Sequence, residues 1–355
     1  MARNNRLFFR VVILLVLIGY VLYAGYKVSF GTNYTQSWAV DMESCETVES
    51  VGSGWVPFMV KDFFGYVSPD GSGVFRDSIQ YRVALTPEVF CNYDRSGDSL
   101  IIRDPVKNYM FPVAVPGYPL ARDGLLFIIS ADLSGVTAVD SSGEILFERR
   151  FTSLISSIDS CDGTISIGLL KGLTELVDTG GNTIASIESK GSRIDSVYGT
   201  AVSSSGASIA VMHGIDPQYV TLYKRQAGEY VPEKRYLLDG QLRRQAILSF
   251  SDDEAQLLAE TASGVTLLDT FDPYTVKNID LEGRLIDFDF PAVKEPLLLL
   301  ISREGESSLG IYRRDGSLFD RESFSGEATW LYRAGDAFFI GLDNTLTRID
   351  IRKDV

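Results

Sequence analysis

Histidine is nearly missing from this chain of 355 residues, which has one, His213. Cysteine is scarce as well, with Cys45, Cys91 and Cys161 and no CxxC pair. A zinc site needs several such ligands in close spacing, so none is expected. No phosphate-cradling loop and no dinucleotide fingerprint occurs. Positive charge is also in deficit, with 33 Lys and Arg against 47 Asp and Glu and a net charge of −14. The first thirty residues hold Arg3, Arg6, Arg10 and Lys27 and no acid, which leaves about −18 on the remainder. A body that acidic repels phosphate backbones, so nucleic acid is excluded as a partner, and it does not lie flat on an anionic leaflet. After the first thirty residues, long stretches of helical periodicity are lacking too.

One long apolar run is present. Val11 to Tyr26, VVILLVLIGYVLYAGY, carries no charge. As a helix it rises about 24 Å, and adding Leu7 to Arg10 brings it close to a bilayer core of about 30 Å. Arg10 can snorkel to one interface, and Tyr20, Tyr23 and Tyr26 suit the aromatic belt at the other. The basic flank precedes the run, so the positive-inside rule puts the N-terminus in the cytoplasm. The expectation is a single-pass signal-anchor in the inner (cytoplasmic) membrane with an extracytoplasmic, periplasmic body. A cleaved signal peptide is the alternative, although a cut after Ala24 would place Leu22 where a small residue is wanted.

The body repeats. Gly135-Val136-Thr137 with Asp140 returns as Gly172-Leu173-Thr174 with Asp178, and again as Gly264-Val265-Thr266 with Asp269. Taking the apolar residue before the Thr position, the copies fall at Leu100, Val136, Leu173, Val220, Val265, Leu309 and Leu346, with gaps of 36, 37, 47, 45, 44 and 37 residues. A β-rich period near forty is the length of one four-stranded propeller blade. Apolar runs such as LLFIIS, TISIGLL, SIAVMH, AQLLAE and PLLLLIS suit strands buried on both faces, and the alternating segments suit strands half in water. Ser142-Gly143, Gly180-Gly181 and Asp315-Gly316 supply hairpin turns. The expected fold is all-β: a β-propeller of about seven four-stranded blades, with eight if Val74 to Tyr81 opens its own unit and six if the first unit is an embellishment. Trp55 to Val60 is expected to complete the last blade and so close the ring. The chain then divides into 1–10, cytoplasmic; 11–26, transmembrane anchor; 27–53, tether and leading strand; and 54–355, propeller.

Thr137 to Glu148, TAVDSSGEILFE, resembles the repeat of the PQQ-like propeller superfamily. Ala138, Asp140 and Gly143 match that repeat, while Ser142 stands where Thr is usual and Phe147 where Trp is usual. The copy at Glu175 to Ser186 keeps Asp178 and Gly181, and the copy at Gly310 to Arg321 keeps Gly316. WD-repeat-like propellers are equally compatible, although their Gly-His and Trp-Asp signatures are absent. The PQQ-like group includes quinoprotein dehydrogenases and a non-catalytic lipoprotein that helps assemble outer-membrane barrels. An acidic, extracytoplasmic chain without a metal constellation is similar to the second kind.

No side-chain set for chemistry emerges. His213 ends an apolar strand with no nucleophile or carboxylate at a recognisable spacing. Asp252-Asp253-Glu254 and the pair Asp315 and Asp320 lack the regular ligand spacing of a calcium loop. Arg149-Arg150, Lys224-Arg225 and Arg243-Arg244 read as solvated charge. Cys45 and Cys91 are the pairing a disulfide would use, because a closing N-terminal strand lies beside the first blade. No catalytic, cofactor-binding or metal-binding residue is assigned, and no cofactor is expected. The expected role is a non-catalytic protein-interaction platform for a partner in the cell envelope, with membrane attachment through residues 11–26. Tyr109-Met110-Phe111 and Tyr118-Pro119 are candidate surface aromatics. The alternative is an enzyme or small-ligand sensor with inner-strand carboxylates converging in the central channel.

Overall fold

In the computed structural model, which describes residues 32–292 and 295–353, strands follow one another from end to end and assemble into eight antiparallel sheets. The sheets are the blades of a propeller. Blade I occupies 56–78, II 82–113, III 118–150, IV 155–188, V 194–237, VI 248–280 and VII 284–325, and blade VIII joins 328–353 to Thr32–Asp41. The blade number is therefore eight rather than seven.

Each of the seven sequence marks lies in the third strand of a blade, from Leu100 in blade II to Leu346 in blade VIII. The unmarked blade is the first. It has three strands, and its third, Val74–Ser78, carries no Thr after an apolar residue. Val74 to Tyr81 is thus the end of a unit, not the start of one. Residues 79–81 pass directly to the inner strand of blade II, and the Val48 amide donates to the Val74 carbonyl at 2.9 Å along the edge a fourth strand would occupy.

Closure also differs from the expectation. Trp55 to Val60 does not complete the last blade; Val56–Met59 is the inner strand of blade I. The ring is closed by Thr32–Asp41, which pairs antiparallel with Thr345–Lys353, Thr35 opposite Asp350 and Ala39 opposite Thr347. The propeller consequently starts at Thr32, within the stretch expected to be a tether and leading strand. Trp38, from that strand, packs edge-on against Phe339 of the same blade at 5.8 Å.

Packing follows the pattern of apolar runs. Blades stack face to face, so a middle strand is covered on both sides. Thr164–Leu169 and Ser208–Ile215 are buried along their whole length, whereas the outer strand Leu318–Ser325 is mostly exposed. Phe127, Val136 and Ala138 of blade III interlock with Ile165, Ile167 and Val177 of blade IV. Between blades I and II, Phe64 meets Phe90 edge-on at 5.0 Å. The outer hairpins are fixed by their Asp residues. Asp178 Oδ1 accepts from the Asn182 amide at 2.8 Å, and Asp315 Oδ1 from the Ser317 amide at 2.9 Å, each beside a glycine of positive φ.

Cys45, Cys91 and Cys161 are free thiols. Cys91 sits in the core of blade II, and Cys45 packs against the cluster that joins blades I and VIII. Residues 11–26 lie outside the described residues. Among the described residues no helix is long and apolar enough to cross a membrane.

Candidate functional site in the central channel

The alternation of strand directions gives the disc two faces. One, here the upper face, carries the turns joining second to third strands and the connections from one blade to the next. The lower face carries the turns joining first to second and third to fourth strands. Inner strands run from upper to lower face and line the channel.

At the upper mouth a cavity of about 360 Å³ is walled by Tyr81, Arg82, Tyr93, Tyr118, Leu133 and Ile155, among others. A second cavity of about 300 Å³ adjoins it, shares Arg82, Tyr93, Pro119 and Leu120, and extends to Arg122, Trp330 and Tyr332. The aromatics are ordered against one another. Tyr81 and Tyr93 meet at 6.3 Å and 77°, Tyr93 and Tyr118 at 6.4 Å, and Trp330 stacks on Tyr332 at 5.3 Å and 4°. Burial pushes the Tyr93 phenol up, against the pull of the Arg82 charge. Arg82 lies over the Tyr81 ring at 5.6 Å.

Around this mouth the upper face is apolar. Tyr81, Leu133, Leu154, Leu170, Ile194 and Leu237 all lie there, from blade II to blade V, with exposures from 39% at Leu170 to 62% at Leu237. The lower rim exposes apolar residues as well. Tyr109, Ile145, Val276 and Leu318 each open the fourth strand of their blade, a repeat position, while Val106, Met110 and Phe271 stand outside it. In the upper arc Leu133 and Leu170 likewise share a repeat position, each two residues before the repeat glycine, Gly135 or Gly172.

Deeper in the channel, inner-strand carboxylates do occur. Asp159 accepts from the Val202 amide of blade V at 2.8 Å, and Asp287 from the Leu331 amide of blade VIII at 2.9 Å. Each ties its blade to the next. Burial raises both carboxyls to about 6, partly countered by these amides and by Arg122, which acts on Asp159 from the adjacent blade and on Asp287 across the channel. Asp289, two residues beyond Asp287 and so on the same strand face, pairs with Arg333 of blade VIII at 3.3 Å and is likewise raised to about 6 by burial. Arg333 also binds Glu295, and Arg314 covers the Phe290 ring at 4.4 Å, so charged groups gather on the lower face of blades VI to VIII.

The residues singled out in the sequence are scattered. His213 is not at a strand end; it lies within Ser208–Ile215, fully buried, because the strand continues through Gly214. Its Nε2 pairs with the Thr221 hydroxyl at 2.9 Å, and burial, then the Arg235 charge, lowers its pKa to about 4. Glu254 accepts from the Ser204 hydroxyl at 2.8 Å and joins blades V and VI, while Asp315 caps its own hairpin. Arg149 is engaged rather than solvated, donating to Gly181 and Thr183 of blade IV. Among the described residues no group of acids, histidine or cysteines is placed to hold a metal. Of the two aromatic candidates, Tyr118-Pro119 is at the mouth, and Tyr109-Met110 is exposed on the outer strand of blade II. Tyr81, Arg82 and Tyr93 carry no motif in the sequence. Their signal is position: Tyr81 and Arg82 at the start of an inner strand, and Tyr93 opposite Arg82 at the end of the second.

The chain matches a protein family described as "beta-propeller protein" over residues 1–354, and it belongs to that family. It is 23% identical over 351 residues to an uncharacterized protein of Treponema pallidum (strain Nichols), covering 95% of this chain and 92% of that one. Among solved structures it is similar to BamB from Moraxella catarrhalis, with a TM-score of 0.63 at 12% identity, covering 90% of this chain and 100% of that one. It is also similar to the computationally designed Ika8 protein, with a TM-score of 0.55 at 12% identity over 86% and 98% of the two chains. These likenesses support the propeller superfamily to which the repeat pointed.

Proposed function

We propose that this member of the beta-propeller protein family is a non-catalytic protein-interaction platform, held to the membrane by residues 11–26 with its disc on the extracytoplasmic side. The observation that carries the reading is the set of exposed apolar residues Tyr81, Leu133, Leu154 and Leu170 beside the aromatic mouth, with backbone hydrogen bonds from Ile155 to Leu133 and from Leu170 to Leu154. Exposed apolar side chains gathered beside a channel mouth mark a place of contact. The loops bearing it stand on a rigid ring. The buried carboxylates of the channel have a structural use, as inter-blade ties.

Cross-linking in intact cells tests this, followed by purification through a C-terminal tag and mass spectrometry. The expected result is one or a few envelope proteins in fixed ratio, linked through Lys171 beside Leu170. The double variant Leu154→Asp, Leu170→Asp loses them while its melting temperature holds. Recovery of the protein alone, or links confined to the outer rim, removes the reading. Fractionation with protease protection tests the anchor, which predicts membrane recovery and a disc cleaved only from outside.

A second reading, a small-ligand sensor in the channel, draws on Arg122 set between Asp159 and Asp287. It requires a ligand whose binding is abolished by Arg122→Ala.

A further inference from the structure

We propose that the channel mouth binds the free C-terminal carboxylate of an extended polypeptide tail that ends in an aromatic or large apolar residue. This rests on the protein-interaction reading and names the chemistry of the partner.

Charge is the first argument. The protein carries a large excess of acid, yet neither of the two adjoining cavities is lined by an Asp or a Glu. The cation at their shared wall is Arg82, which makes no ion pair among the described residues. Its guanidinium presents a fork that fits a carboxylate with two parallel bonds. Arg122, deeper, already faces Asp159 and Asp287, so the unopposed positive charge is at the mouth.

Chemistry around Arg82 agrees. Tyr81, Tyr93 and Tyr118 form a continuous set of rings beside it, and among the described residues none of their phenols is hydrogen-bonded to a protein group. Three hydroxyl donors and a guanidinium beside aromatic faces suit an anion attached to an apolar body. A polyanion does not fit, because the acidic disc repels it. One terminal carboxylate carries a single negative charge, and residues before it can be neutral or basic.

Size separates a tail from a free small molecule. The terminal residue fills the cavity at the mouth, and the residues before it leave across Leu133, Leu154 and Leu170, which form an exposed path outward on the upper face. A small molecule would leave that path uncovered.

The test uses the full chain in detergent and fluorescein-labelled octapeptides with the last two positions varied, each made as free acid and as amide, read by anisotropy. Free acids ending in Phe, Tyr or Leu are expected to bind. Amidation and Arg82→Gln are each expected to weaken binding by about tenfold or more, as for loss of a charge-assisted pair. Arg82→Lys, which keeps charge without the fork, falls between. Leu170→Ser weakens octapeptides but not 3-phenylpropionate. Equal binding of acid and amide overturns the inference, as does wild-type affinity in a folded Arg82→Gln protein. If 3-phenylpropionate binds as tightly as any octapeptide, the occupant is a small molecule and the inference fails. If cells yield an upper-face partner while no free-acid peptide binds, this inference falls and the platform reading stands. If peptides bind but no partner is recovered, the reverse holds.

Discussion

Replacing Asp287 separates two effects that the native carboxylate combines. Its Oδ2 takes the Leu331 amide of blade VIII at 2.9 Å, and its Oδ1 takes the Phe288 amide at 2.9 Å. Burial raises the group to about 6, against ~3.9 for an unperturbed aspartate. The folded state therefore binds more protons than the unfolded state between those values. The contribution of this group is fully favourable below about pH 4 and is lost as pH rises through about 6. At pH 7.5 the burden of ionising it has a ceiling on the order of 3 kcal/mol. Asp287→Asn removes that burden and keeps one of the two acceptors, and a lost amide partner costs about 1–3 kcal/mol. The variant should be close to wild type at pH 7.5 and about 1–1.5 kcal/mol less stable at pH 5, where about half of that burden has been lifted. Asp287→Ala removes both acceptors and should lie a further ~1–2 kcal/mol below Asp287→Asn at both pH values. Urea unfolding followed by tryptophan fluorescence at pH 5, 6 and 7.5 measures all three proteins. A gap between wild type and Asp287→Asn that stays constant across that range refutes the titration. Equal stability of the Asn and Ala variants refutes the tie between blades.

Other consequences are as direct. Gly172 has φ +83°, and a Cβ there would meet the Asp195 carbonyl oxygen at 1.8 Å, so Gly172→Ala should cost on the order of 3 kcal/mol or more. Gly335 has φ +61° and open space around it, so Gly335→Ala should cost only about 1 kcal/mol, and thermal melts compare the two. Cys91 is buried and its thiol is pushed up to about 11; it should stay unmodified by a thiol reagent in the native protein and react only on unfolding, while the half-buried Cys45 reacts first. Leu299 is fully buried between blades VI and VII, so Leu299→Ala should cost about 2–5 kcal/mol in urea unfolding, and a smaller loss would show that the interface relaxes into the space.

The repeat was legible because one strand per blade faces the same demands. Val136, Leu173 and Val265 are all in third strands, each followed by a Thr and, further on, an Asp that turns the chain. Blade I escaped for a physical reason. It makes no fourth strand, so it needs no hairpin Asp-Gly at that point, and Val74-Phe75-Arg76 lacks the pattern. Closure by Thr32–Asp41 was hidden because its first half is polar and its partner lies more than three hundred residues away. Periodicity reports burial, and this outer strand has little. The mouth was half visible: Tyr118-Pro119 stood out, while Tyr81, Arg82 and Tyr93 are set together by the first hairpin of blade II, where Arg82 pairs opposite Tyr93, and meet Tyr118 only through the ring. Asp159 and Asp287 looked like ordinary strand acids, since nothing local shows that a neighbouring blade supplies their amides.

The pairing of Thr32–Asp41 with Thr345–Lys353 sets a timetable for synthesis. The ring's first strand in sequence has its partner in its last, so the ring stays open until residues 345–353 have left the ribosome. The earlier blades can stack in order as they emerge, because their contacts are between neighbours in sequence. The last step joins distant segments and carries the largest loop-closure entropy. During the wait the leading strand is an unpaired edge, and TNYTQS spends that interval in water without offering a sticky surface. A stalled or truncated chain would therefore accumulate as an open crescent with two free ends, the form on which quality-control proteases would act.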